Sequence, residues 1–144
     1  MAITQTTCTS FKVELFKAEH DFDTDTFKIA LYTSSASLDA STTAYSTDNE
    51  ITNTSGTAYV AGGATLTVAS TFPKASGSVA LVDFDNVSWT DATFTARGAL
   101  IYNSSASNKA VAVLDFGSDR SASASTFEIQ FPLAGATSAI LRIT

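Results

Sequence analysis

Ala92–Phe116 reads ATFTARGALIYNSSASNKAVAVLDF. Two apolar runs flank a small polar turn, Asn103–Lys109. Residues Ala99-Leu100-Ile101-Tyr102 and Ala110-Val111-Ala112-Val113-Leu114 are the most continuously apolar parts of the chain. β-Branched and aromatic residues around a short Ser/Asn turn predict a β-hairpin. Near-continuous apolarity in short strands predicts burial on both faces. Gly98, inside the first strand, predicts a bulge. The hairpin is therefore expected to be the centre around which the other segments pack.

Towards the C-terminus, Gly117–Ser125 (GSDRSASAS) reads as a turn. Thr126–Phe131 alternates cleanly, with Phe127, Ile129 and Phe131 on one face. Pro132–Thr137 reads as a turn and Ala139–Thr144 as a last strand. Towards the N-terminus, Asn86–Thr90 and Ser78–Phe84 read as strands, separated from a strand near Thr65–Ala69 by a turn at Thr71–Gly77. Gly62-Gly63 marks a turn or bulge. Thr26–Thr33 (TFKIALYT) is a strand by its alternation. Residues 10–20 (SFKVELFKAEH) fit a short helix, favoured by Glu, Lys, Leu and Ala, with Thr9 or Ser10 as N-cap; the alternation Phe11-Val13-Leu15 would suit a strand instead. Residues 1–10 read as an N-terminal arm or short edge strand that could reach a neighbour. Ser34–Thr57 reads as a long surface loop anchored by Tyr45 and Ile51, and as the best place for subunit contacts.

About seven to eight short strands with polar turns predict a mainly β, antiparallel sandwich or barrel-like domain with one short N-terminal helix. At 144 residues the chain fits a single domain, residues 1–144. A chain of this size buries about 70% of its unfolded surface, enough for a core without disulfides or metal. Charged residues are only 15%, and Ser and Thr take their place on the polar surface. The formal net charge is −6, which argues against nucleic-acid binding and against anionic membranes. No stretch reaches the length of an apolar membrane span. The opening MAITQTTCTS lacks the basic and apolar regions of a signal peptide.

Few residues suggest chemistry. Asp21, Asp23 and Asp25 have the spacing that opens a calcium loop. Thr26 stands where the loop glycine belongs, however, and Tyr32 where the bidentate glutamate belongs. A solvated acidic turn is the simpler reading. Asp83, Asp85 and Asp91 flank the Val87–Trp89 strand and could pair for glycoside hydrolysis, given an aromatic cleft. Ordinary turn-forming aspartates and a core Trp89 explain them better. His20 is the only histidine, and no G-x-S-x-G elbow accompanies it; a protonated imidazole at a helix C-terminus accounts for it, with metal binding alongside the Asp21, Asp23 and Asp25 cluster as the alternative. Cys8, the only cysteine, reads as a structural thiol. Arg97, Arg120 and Arg142 are dispersed. No catalytic, cofactor-binding or metal residue is assigned, and no cofactor is expected.

The runs TSFKVELFKAEHDF (9–22), DTFKIALYTSSASLDASTTAYSTDNEI (25–51), YVAGG (59–63), VSWTDATFTARGALIYNSS (87–105) and NKAVAVLDFG (108–117) together resemble a group of small tailed-bacteriophage virion structural proteins. The resemblance is one of overall pattern over nearly the whole chain and carries no active-site residues. It implies a non-enzymatic virion component assembled in the host cytoplasm. That component would be a head decoration (cement) protein on the outer capsid lattice or, alternatively, a tail- or fibre-associated module binding a host surface. It further implies a homo-oligomer whose partners are other virion proteins: the major capsid protein first, tail proteins as the alternative. For the tail reading, Tyr32, Tyr45, Tyr59, Tyr102 and Trp89 are the side chains that could stack on glycans if exposed.

Overall fold

A computed structural model of the chain describes residues 2–52 and 58–144. Among them the fold is mainly β, with eight strands, one short helix, two antiparallel sheets and no closed barrel. In chain order the elements are β1 (Thr6–Thr7), α1 (Thr9–Phe16), β2 (Phe27–Tyr32), β3 (Ala64–Thr65), β4 (Lys74–Ser76), β5 (Val79–Val82), β6 (Val87–Asn103), β7 (Lys109–Ile129) and β8 (Leu141–Ile143). The larger sheet runs β1-β7-β6-β2-β3 and the smaller β4-β5-β8.

The hairpin is the spine, as its apolar runs require. Strand β6 sits between β7 and β2, and Ala99, Leu100, Ile101, Ala110, Val111 and Val113 are all fully buried. It is also longer than its sequence suggests. Asn86–Thr90 is not a separate strand, because β6 is continuous from Val87. Gly117–Ser125 is not a turn, because β7 passes through it. The small polar residues there are absorbed by irregular pairing. Between Ala96↔Arg120 and Gly98↔Asp115, the four residues Phe116–Asp119 stand opposite the single Arg97. Gly117 (φ +81°) and Ala124 (φ +47°) adopt left-handed backbone within the strand. A local turn signal thus became bulges, since cross-strand pairing on both sides held the chain extended.

Gly98 is a close-approach position. A Cβ there would lie 2.5 Å from the Leu114 carbonyl oxygen and 2.9 Å from the Ile3 side chain. Ile3 belongs to the N-terminal arm, which therefore packs on its own sheet. Thr6 and Thr7 pair with Val113 and Ala112, and Cys8 is fully buried. Gly63 (φ +79°) turns the chain so tightly against β2 that a Cβ would sit 1.8 Å from the Ile29 carbonyl oxygen.

The helix ends at Phe16, earlier than the helix-forming composition of residues 10–20 implies, and Ala18 (φ 57°) lies beyond its end. Its N-cap is Cys8, not Thr9 or Ser10, and no side chain caps it. Tertiary packing of Phe11 holds α1, whereas Phe16 at its end is 95% exposed. Strand β4 lies within the stretch read as a turn, and β3 is shorter than its alternation suggested, continuing only as a Val68↔Phe84 bridge. The long loop runs over the surface but drops Ala36, Leu38, Glu50 and Ile51 into the core. Met1 of the arm and positions 53–57 of the loop lie outside the described residues.

Candidate functional site

Two polar clusters are buried in this fold. The first is centred on Glu50, only 6% exposed, in the long loop. Its Oε1 accepts from the Tyr59 hydroxyl and, at 2.7 Å, from the Gly62 N–H; its Oε2 accepts from the Tyr45 hydroxyl at 2.7 Å. Around it, Tyr102 donates to the Gly62 carbonyl (2.7 Å), Tyr32 donates to the Ser46 carbonyl (2.6 Å), and Tyr59 accepts from the Leu31 N–H (2.9 Å). Tyr45 stacks on Tyr102 with ring centroids 4.6 Å apart. Burial, helped by the Glu50 charge, holds the hydroxyls of Tyr32, Tyr45 and Tyr59 well above the ordinary phenol range and raises Tyr102 to about 12. These phenols stay protonated and act as donors. The cluster clasps the loop and the Gly62-Gly63 turn to β2 and β6, a buried carboxylate satisfied by three donors.

The second cluster is centred on His20, whose side chain is fully buried. Asn103, at the end of β6, donates through Nδ2 to His20 Nδ1 (3.0 Å) and to Asp25 Oδ2 (2.7 Å). Its Oδ1 accepts from the N–H groups of Ser105 and Ala106, which fixes the amide orientation. His20 Nδ1 is therefore an acceptor, and Nε2–H donates to Glu14 Oε1 at 2.9 Å. His20 lies past the end of α1 and bridges Glu14 of that helix to Asn103 of the hairpin. Lys109 lies 3.8 Å from Glu14 and contacts Glu19 directly. That pairing raises the Lys109 ammonium above, and lowers the Glu19 carboxyl below, its ordinary range. With its ring buried and both nitrogens engaged, His20 ties α1 to the hairpin turn.

The other candidates do not converge. Asp21 accepts from the Asp23 N–H (2.9 Å) and the Thr24 hydroxyl (2.9 Å), and Asp25 accepts from the Asp21 N–H (3.0 Å). The Asp23 N–H, first among these bonds, holds the Asp21 carboxyl below its usual range. Among the described residues no three His, Cys, Asp or Glu are grouped to hold a metal. Asp83 accepts from the Phe84 N–H, Asp85 is exposed, and Asp91 sits at a bulge with φ 53°. Burial pushes the Cys8 thiol up to about 11. Arg97 pairs with Asp115 at 3.1 Å, whereas Arg120 and Arg142 only touch backbone carbonyls.

Four of the five aromatics considered for glycan stacking are not available for it. Tyr32, Tyr59, Tyr102 and Trp89 are buried, and Tyr45 is half-buried against Tyr102. Trp89 packs among Tyr59, Phe94 and Phe127. Sequence reasoning missed Glu50, Asn103 and Lys109. The surrounding Ser/Thr-rich composition hides Glu50, and its donors come from residues that only folding brings beside it.

What the surface offers is shape. One groove of about 740 Å³ runs beside β7, from Gln5 and Thr7 past Leu114 and Phe116 to Phe131 and Ile140. A second, of about 640 Å³, lies within the long loop between Ser35 and Asn49. Neither is lined by His20, Asp83, Asp85 or Asp91. Phe16 and Leu133 stand in the open, 95% and 92% exposed. No protein-family profile, curated protein or solved structure matches this chain.

Proposed function

We propose that this protein is a structural component of a tailed-phage virion, a decoration protein that binds the outer capsid lattice and stabilises it without catalysing a reaction. The resemblance of nearly the whole chain to small virion proteins supports this reading. The carrying observation is that Glu50 and His20, two buried polar groups, are engaged in holding loops to the sheet. The surface has grooves and exposed apolar side chains on a hydroxyl-rich background, which suits a role made of contacts. A cement protein adds interface present only in the assembled shell, so its binding stabilises that shell by mass action. The partner is the major capsid protein, and symmetry of the lattice selects the oligomer.

Heads stripped of this protein should lose resistance to heat or chelators and recover it when the protein is added back. Equal resistance with and without it would overturn the cement role. Copy number per virion is the second measurement: hundreds of copies fit the shell, whereas a dozen or fewer would move the protein to the tail.

A further inference from the structure

A surface helix ordinarily turns its apolar side chains inward and its charges outward; α1 does so only in part. Its carboxylates are spent inside. Glu14 Oε1 accepts from His20 Nε2–H, Oε2 lies 3.8 Å from Lys109, and Lys109 also holds Glu19 just beyond the helix. The lysines of the same segment are not. Lys12 and Lys17 are exposed, and among the described residues neither takes part in an ion pair. At about 3.6 residues per turn, Lys12, Phe16, Thr9, Val13 and Lys17 follow one another across an arc of roughly 140°. All five are exposed. Phe11 and Leu15 lie on the opposite side, packed in or against the core. The middle of the outward arc is therefore apolar, with Val13 half exposed and Phe16 almost wholly so, and each flank carries an ammonium. This patch is positive on a chain whose formal net charge is −6.

We propose that the outward face of α1 is the docking element for the capsid lattice, seated in an apolar pocket rimmed by carboxylates on the capsid subunit. The proposal rests on the decoration-protein reading above and names the chemistry of its contact. Charge complementarity selects the occupant. Two ammoniums flanking the patch are matched by carboxylates, and the aromatic between them by a pocket that takes it out of water. The orientation follows: Phe16 enters the pocket, Val13 and Thr9 close over its edge, and Lys12 and Lys17 pair with opposite sides of the rim. A second copy is a poorer occupant, because two such helices brought face to face oppose lysine to lysine. A lipid surface is poorer too. Eight residues of helix present a single inserting aromatic, and the net negative charge of the chain opposes the anionic headgroups that the lysines would seek.

The test is re-binding of the purified protein to heads stripped of it, followed by co-sedimentation at low and at high salt. Phe16→Ser should weaken attachment about tenfold or more at both, the loss of a buried aromatic anchor. Lys12→Glu and Lys17→Glu should each weaken it about fivefold at low salt and little at high salt, where the lost attraction is already screened. Lys74→Glu, at an exposed lysine of β4, makes the same change in net charge and should leave attachment as it was. An unfolding midpoint equal to the parent's shows that each variant is folded. A parent protein that fails to bind stripped heads overturns the decoration reading and this docking face with it. A parent that binds while the Phe16 and lysine variants bind equally well overturns the docking face alone. So does an equal loss from Lys74→Glu, which would make net charge the cause. Binding of the parent to anionic phospholipid vesicles that is lost in Phe16→Ser would put a membrane on this face, and self-association lost in the same variant would put a second copy there; either overturns the proposal.

Discussion

Glu50 shows what one buried charge requires. It has three donors, Tyr45 in the long loop and Tyr59 and Gly62 beside the glycine turn, and Tyr59 in turn accepts from Leu31 of β2, so its removal affects the loop, the glycine turn and β2 together. Glu50→Gln keeps an acceptor but loses the charge-assisted bonds and should destabilise the fold by about 1–2 kcal/mol; Glu50→Ala strands three buried donors and should cost about 3–4 kcal/mol. Urea unfolding measures both, and an unchanged midpoint for Glu50→Ala would remove the clasp from the account. Cys8 makes an alkaline prediction. Its folded value of about 11 lies above the ordinary 9.0, because burial disfavours the thiolate. Its contribution is fully present below pH 9 and is lost as pH rises towards 11, since the unfolded chain releases the proton first. Stability should fall across that window, less so in Cys8→Ala, and the folded protein should resist alkylation at pH 8. The aspartates work the other way. Asp21, Asp39 and Asp115 are held below their ordinary range by hydrogen bonds. Their contribution is present above the ordinary carboxylate value and is lost as pH falls through the depressed one.

At the level of elements, the β6–β7 hairpin carries the fold. Leu100 and Val113 are directly paired across it and fully buried. Leu100→Ala should cost about 2–4 kcal/mol and Val113→Ala about 1–3 kcal/mol, read from chemical denaturation. Loss of stability from neither would mean that the hairpin is not the spine. The hairpin was legible because its apolar runs are continuous and its turn is small and polar. The extent of β7 was not. Gly117–Ser125 has turn composition, and only pairing with β6 holds it extended. The helix illustrates the same limit: residues 10–20 are good helix formers, yet α1 stops at Phe16 and the following residues serve the His20 cluster. The loop is the third case. Tyr45 and Ile51 were readable as apolar anchors in a hydroxyl-rich stretch, whereas Glu50 between them gave no signal. Propensity is a weak prior that tertiary contacts override.

For the whole molecule, the interior and the surface have separate roles. The core joins both sheets in one cluster that includes Phe84 and Leu141. Phe16 and Leu133 lie outside it and contribute little to stability, so an aromatic at 95% exposure fits the anchor of a contact. Phe16→Ser and Leu133→Ser should leave the unfolding midpoint within about 0.5 kcal/mol of the parent. On the proposed function they should also weaken attachment to capsids, as measured by co-sedimentation. Full attachment by the double variant would place the contact elsewhere. The class of fold was legible in the chain: strand-length apolar runs separated by polar turns predict antiparallel sheets, and the fold has them. The chain also marked Gly98 as a bulge and Gly62-Gly63 as a turn or bulge, whereas the close backbone approach at Gly98 and Gly63 was visible only in the fold. Not legible were the bulges that turn-like residues form in β7, the burial of Glu50 and His20 with their partners, and the pairing of β1 with just Ala112 and Val113 of β7. The β7 bulges and the His20–Asn103 bond depend on segments far apart in the chain, whereas the donors to Glu50 lie within twelve residues of it and are turned onto it by the folding of the loop. Local composition contains no trace of which distant donor or strand will arrive.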